Sequence, residues 1–188
     1  DRAAGLVPMM AVGSACTANA GSIDPLVELA AVCRDAGVWF HVDGAYGAPA
    51  AMTDSHAYLR AGFAQADSMS LDPHKWLFAP FDAGVLLVRD AQALRDAYSE
   101  TSEYITVTET EPLEAHAFFD HGMELSRRFR ALKLWMMFKL RRIAPYRQAI
   151  ADNIALREYL DARIDAEPEL ERLASGLERK GLERFVDG

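Results

Sequence analysis

DSMSLDPHKWLFAPFDAGVLLVRD, residues 67–90, decides how the rest of the chain is read. Strand-like residues lead into Asp72, Pro73, His74, Lys75 and Trp76, and an apolar strand, AGVLLVRD (83–90), follows. A lysine between a histidine and a tryptophan thus stands where a strand ends. Working backwards, AQADSMSL (64–71) carries that strand, and a short helix over about residues 53–61, closed by Gly62, precedes it. VWFHV (38–42) is a compact β-rich run that stops at Asp43-Gly44. Before it, PLVELAAVCRDA reads as a helix, with Asp24 as N-cap, Pro25 at the first helical position and Gly37 just past the end. VPMMAVGSA (7–15) reads as a short buried strand followed by the loop CTANAGS. Strand, helix, strand, helix, strand is the pattern of an α/β sheet with mostly parallel neighbours.

Forward of the opening stretch, residues 99–122 have weak periodicity and many Thr and Glu. They read as a long loop, and long loops in compact domains are often functional. From Glu124 the pattern turns helical, with Leu125, Phe129, Leu132 and Met136 on one stripe. Pro145 opens a second long helix to about Asp165, and Pro168 stops it. Trp76, Trp135, Met136, Met137 and Phe138 are expected in core packing or a subunit interface.

The 188 residues are 51% hydrophobic and 26% charged, as in soluble globular proteins, and the net charge is −8. That charge argues against nucleic acid as a partner, because no basic stripe is available to displace counterions from phosphates. The densest basic cluster (Arg127, Arg128, Arg130, Lys133, Lys139, Arg141 and Arg142) lies in a helical pattern and reads as a solvated or salt-bridged face. Cys16 and Cys33 form no CxxC pair, which points to buried thiols in a reducing compartment. No signal peptide is visible, and the uncharged run 3–23 is interrupted by Gly5, Pro8, Gly13, Asn19 and Gly21, so no membrane partner is expected. A cytoplasmic protein is the expectation. The chain begins at Asp1 rather than Met and is expected to be an excerpt of something longer.

HVDGAYGAP (41–49) and DPHKW (72–76) both lie where strands end, which is where ligands bind in open α/β sheets. Asp43 and Lys75 are therefore expected as neighbours in space. A metal site from His41, Asp43 and His74 is the lesser alternative: residues 41 and 43 share a strand face, but nothing forces the third ligand.

Joined with GSACTANAGSIDP (13–25), ADSMSLDPHKWL (66–77) and ELSRRFRALKLW (124–135), these segments resemble the pyridoxal-phosphate-dependent group II amino-acid decarboxylases, a family that includes aromatic-amino-acid, tyrosine, histidine and glutamate decarboxylases. The resemblance runs nearly end to end. It implies an α/β chain with the type I aminotransferase-like fold. Residues 1–132 would be the C-terminal part of the large pyridoxal-phosphate-binding domain, and 133–188 the start of the small C-terminal domain. It also implies pyridoxal 5'-phosphate as cofactor, an amino-acid substrate and a homodimer.

The resemblance assigns roles residue by residue. Lys75 would form a Schiff base, the internal aldimine, with the cofactor aldehyde. Asp43 would face the pyridine nitrogen and favour its protonated form, which makes the ring a better electron sink. Ala45 would pack against one ring face, while His74 and Asp72 would lie near the phosphate. Asp72 stands where some relatives carry Asn, and it accepts hydrogen bonds only when ionised. Thr17 is kept in CTA (16–18), where many relatives read GTT, but Ala18 has no hydroxyl to offer.

Tyr104, in SEYIT, occupies the place of the family's catalytic loop. A phenol can donate the proton that completes decarboxylation, whereas phenylalanine at that place accompanies aldehyde formation. The expected activity is decarboxylation of an L-amino acid to its amine and CO2. The alternatives are an aldehyde synthase or another lyase on the same fold, or a non-catalytic scaffold. Against the last stands the joint presence of Asp43, His74, Lys75 and Tyr104. In relatives the segment preceding this one supplies the ring-stacking histidine and further phosphate ligands, so the excerpt alone is expected to be inactive.

Overall fold

Residues 2–98 and 118–177 are described by the computed structural model. Four strands form one sheet in the order β1 (Met10–Ser14), β2 (Trp39–Asp43), β3 (Ser68–Leu71) and β4 (Val85–Val88). β1, β2 and β3 pair in parallel, with Ser14 opposite Asp43 and Asp43 opposite Ser70. Parallel neighbours need a crossover between them. Helix α1 (Leu26–Ala36) makes the first, and α2 (Leu59–Phe63) lies in the second.

The apolar spacing of α1 explains its seat. Leu26, Ala30 and Cys33 recur on one stripe and are buried with Phe40 and Val42, the inward-facing pair of β2. Gly37 ends the helix at φ 64, the left-handed conformation in which its amide reaches the Arg34 carbonyl. Beyond α3 (Ala91–Tyr98) and α4 (Ala131–Arg141), helix α5 (Ala144–Asp165) contributes Tyr146, Ile150 and Ile154 at helical spacing, and the two isoleucines enter the same core. By internal contacts the chain forms two compact units, Asp1–Leu87 with Arg130–Gly188, and Val88–Phe129. In the second, Arg95 lies 4.0 Å from Asp120.

The structure differs from the sequence reading at four places. Asp24 does not cap α1: its Oδ2 accepts from the Ser14 amide at 2.7 Å and its own amide donates to the Ser14 carbonyl, so Pro25 takes the cap position. Of the expected helix 53–61, only the short α2 forms, running through Gly62 to Phe63, and a 3-10 turn (Ala48–Met52) precedes it. Thr53 divides them, being extended and donating its hydroxyl to the Ala50 carbonyl at 2.7 Å, a local bond that competes with helix continuation. α4 starts at Ala131 rather than Glu124, and Leu125, Phe129, Leu132 and Met136 are all exposed. α3 follows Asp90, whose carboxylate accepts from the Gln92 amide at 2.9 Å, an N-cap signal that was open to reading. Pro145 and Pro168 bracket α5 as expected. Among the described residues, no helix is long and apolar enough to cross a membrane.

Candidate active site

Because β1, β2 and β3 run in parallel, the loops that follow them leave the sheet at one edge. Those loops are 15–22, 44–48 and 72–76, and they carry nearly all the residues singled out from sequence. Two backbone contacts lock them together. The Ala15 amide donates to the Asp43 carbonyl at 2.8 Å, and the Asp72 amide to the Ala45 carbonyl at 3.1 Å.

The glycines in this floor are there for space. A Cβ on Gly47 would sit 1.6 Å from the Ala15 carbonyl oxygen, and one on Gly44 would sit 2.8 Å from the Ser70 carbonyl oxygen. The three loops touch backbone to backbone.

Asp43 is the last residue of β2, and its side chain is solvent-accessible. Its Oδ1 accepts from the Ala45 amide at 3.1 Å and from the Ser70 hydroxyl at 3.3 Å. This holds the carboxylate in place while leaving Oδ2 for another donor. Ser70 was missed from sequence. Its role depends on the register that sets it beside Asp43, and the chain separation of 27 residues hides that register.

Lys75 lies in the turn after β3, with its amide on the Asp72 carbonyl at 2.9 Å. Its Nζ is 2.9 Å from Asp72 Oδ2, a half-exposed ion pair that places a carboxylate beside the amine. Asp72 is thus seen as a partner of Lys75, beside the phosphate role inferred for it.

His74 is half-buried, with Phe81 edge-on at 4.8 Å. Its Nδ1 lies 2.6 Å from the Ala83 carbonyl and 3.2 Å from the Ala83 amide nitrogen. A ring nitrogen at 2.6 Å from a carbonyl oxygen needs a proton between them, so we assign the proton to Nδ1. Trp76 is buried and stacks on Tyr46 at 5.2 Å, fastening the 72–76 turn to the 44–48 loop.

In the first loop, Thr17 closes its own turn: the hydroxyl accepts from the Ser22 amide at 3.1 Å, and the Thr17 amide donates to the Ser22 carbonyl at 2.9 Å. The hydroxyl proton stays available to another acceptor. Cys16, beside it, has φ 106, and burial pushes its thiol up from the ordinary value. Among the described residues, no group of three or more His, Cys, Asp or Glu is placed to hold a metal; His41 instead has Nδ1 2.7 Å from the Ser68 hydroxyl. Tyr104 lies outside the described residues.

An accessible amine and an accessible, pre-fixed carboxylate therefore share one sheet edge, with an imidazole, a threonine hydroxyl and the small Ala45 in adjoining loops. That donor set fits pyridoxal phosphate, which presents an aldehyde, a ring nitrogen and a phosphate.

Residues 1–181 match the family model described as the pyridoxal-dependent decarboxylase conserved domain. The chain is 45% identical over 162 residues to the aromatic-L-amino-acid decarboxylase of Bacillus atrophaeus, covering 86% of this chain and 34% of that protein. The crystal structure of Catharanthus roseus tryptophan decarboxylase in complex with L-tryptophan superposes with a TM-score of 0.79 at 26% identity, over 93% of this chain and 35% of that one. Rhodiola rosea 4-hydroxyphenylacetaldehyde synthase gives 0.74 at 29% identity, over 88% and 33%. The chain spans about a third of the length of these relatives. The aminotransferase-like fold expected from sequence is the fold of these neighbours. The chain belongs to the pyridoxal-dependent decarboxylase family, whose cofactor is pyridoxal phosphate.

Proposed function

We propose that the protein to which this chain belongs decarboxylates an L-amino acid to its amine and CO2, with Lys75 as the cofactor-anchoring amine. The observation that carries this reading is the placement of Lys75 and Asp43 at the carboxyl ends of adjacent parallel strands, with Asp43 fixed by Ala45 and Ser70. The 45% identity to an aromatic-L-amino-acid decarboxylase favours an aromatic substrate.

When bound, pyridoxal phosphate supplies an aldehyde that condenses with amines and a ring that accepts the electrons released with CO2. The chain's own residues do the rest. Lys75 would hold the cofactor aldehyde through Nζ, and the same amine, when free, would carry protons. The pair with Asp72 keeps that amine next to a proton acceptor. Asp43 would hold a proton at the ring nitrogen, with Oδ2, the oxygen not bound by Ala45 and Ser70, available for that contact. Ala45 would leave room for the ring, and Thr17, His74 and Asp72 would hold the phosphate end.

Tyr104 would be the proton donor that makes the product an amine rather than an aldehyde. This reading keeps the division of the chain at residues 132 and 133 into large and small domains, and a homodimer in the cytoplasm. It also has the segment inactive alone, since it spans a third of its relatives. A substrate panel on the full-length protein, scored by CO2 release and by amine against aldehyde, tests it. Amine from an aromatic amino acid is the expected product. Aldehyde as the main product would transfer the reading to the aldehyde synthases, and no turnover with any amino acid would leave a scaffold.

A further inference from the structure

Asp82, which the sequence reading of the opening stretch gave no role, is met by two cationic side chains. Arg130 Nε donates to its Oδ2 at 3.0 Å. Lys133 Nζ is 2.8 Å from its main-chain carbonyl oxygen and 3.6 Å from Oδ1. All three side chains are about one-third exposed, at 29%, 32% and 34%. An isolated ion pair at such a site contributes little. Here, however, two cations converge on one carboxylate, and one of them also holds the main chain. The arrangement fixes backbone, 48 to 51 residues away along the chain.

The backbone it fixes is the turn that grips His74. Phe81, the residue before Asp82, packs edge-on against the imidazole, with an interplanar angle of 67°. Ala83, the residue after, is buried and takes His74 Nδ1 on its carbonyl at 2.6 Å. Both neighbours of Asp82 thus touch the same ring, and that ring belongs to the residue next to Lys75. With Nδ1 engaged, Nε2 is the ring atom left to meet a ligand.

We propose that Asp82, clamped by Arg130 and Lys133, is a positioning residue: it holds the 81–83 turn so that His74 presents Nε2 to the cofactor in a single orientation and tautomer. This rests on the reading that His74 faces the phosphate end of pyridoxal phosphate. It gives part of the basic cluster on α4 a task in the site rather than at the surface. Arg130 and Lys133 act on the cofactor through two intermediaries.

A double-mutant cycle in the full-length protein tests it, with the dissociation constant of pyridoxal phosphate as the readout and the melting temperature of each cofactor-free variant measured in parallel. Asp82→Ala should weaken cofactor binding by about tenfold to a hundredfold, the range for losing hydrogen bonds to charged groups. In a His74→Ala background the same substitution should change binding by less than about twofold, because coupled groups are not additive. Arg130→Lys should retain most of the affinity that Arg130→Met loses.

Equal losses in both backgrounds would make Asp82 merely structural and overturn the proposal, as would unchanged affinity in Asp82→Ala. If His74→Ala alone leaves affinity unchanged, the assignment of His74 to the phosphate end falls first, and the proposal with it. Should Asp82→Ala fail to fold, Asp82→Asn, which keeps the shape and removes the charge, is carried through the same cycle against the same criteria.

Discussion

Replacing Gly47 by alanine would set a methyl carbon 1.6 Å from the Ala15 carbonyl oxygen and 2.4 Å from Cys16 Cβ. Ordinary contacts between such atoms are about 3.5 Å, so one loop must retreat by roughly 2 Å. No flexible side-chain end can give way, because the obstacles are a backbone oxygen and a Cβ. The Ala15–Cys16 backbone is also held at a φ of 106 and by the bond from the Ala15 amide to the Asp43 carbonyl.

Overpacking a tight interior costs about 1–3 kcal/mol, and a backbone obstacle puts Gly47→Ala near 3 kcal/mol. The displaced loop carries Thr17 and the other carries Ala45, so cofactor affinity should fall along with stability. Gly37→Ala is the control: it meets nothing within 4 Å, sits at φ 64, and should cost about 1 kcal/mol with no change in cofactor affinity. Denaturant unfolding and pyridoxal phosphate titration of the full-length variants measure both quantities. Stability of Gly47→Ala within about 0.5 kcal/mol of wild type would refute the claim that these loops form one close-packed floor.

Ser70→Ala removes the hydroxyl 3.3 Å from Asp43 and should weaken cofactor binding roughly three- to tenfold, as read by titration. His56 is buried, and desolvation lowers its pKa from the ordinary value, opposed by the Leu177 backbone. The unfolded chain therefore takes up the proton first as pH falls, so stability should drop below about pH 6.5 and be flat above it. The denaturation midpoint of His56→Gln should lose that slope. Burial raises both thiols, with Asp67 adding to the effect at Cys33, so neither should react quickly with a thiol reagent at neutral pH until the protein is unfolded.

The parallel sheet was legible because β2 and β3 each end in a marker, Asp43-Gly44 and Asp72-Pro73, and because Gly37 stops α1 in the left-handed conformation that favours glycine. The residues proposed to react stood out for a related reason. Lys75 and Asp43 sit in compact runs whose residue types have few other uses together.

The supports were hidden because they act across the chain. Ser70 matters only through the register of β3 on β2, and the role proposed for Asp82 depends on Arg130 and Lys133, 48 and 51 residues on. Asp24 showed the opposite failure. Its cap signature was real, yet the free amide of Ser14 at the end of β1 offered a stronger use for the carboxylate. The stripe from Leu125 to Met136 misled about where α4 begins, because apolar residues at helical spacing also occur in the irregular segment before Ala131.

The central claim is that Lys75 is the amine that holds the cofactor. Borohydride reduction of the full-length protein loaded with pyridoxal phosphate, followed by peptide mass spectrometry, addresses it directly. A stable pyridoxyl adduct is expected on the peptide containing DPHKW, at Lys75, with its loss in Lys75→Ala. An adduct at another lysine, or none in protein that has bound the cofactor, would contradict it.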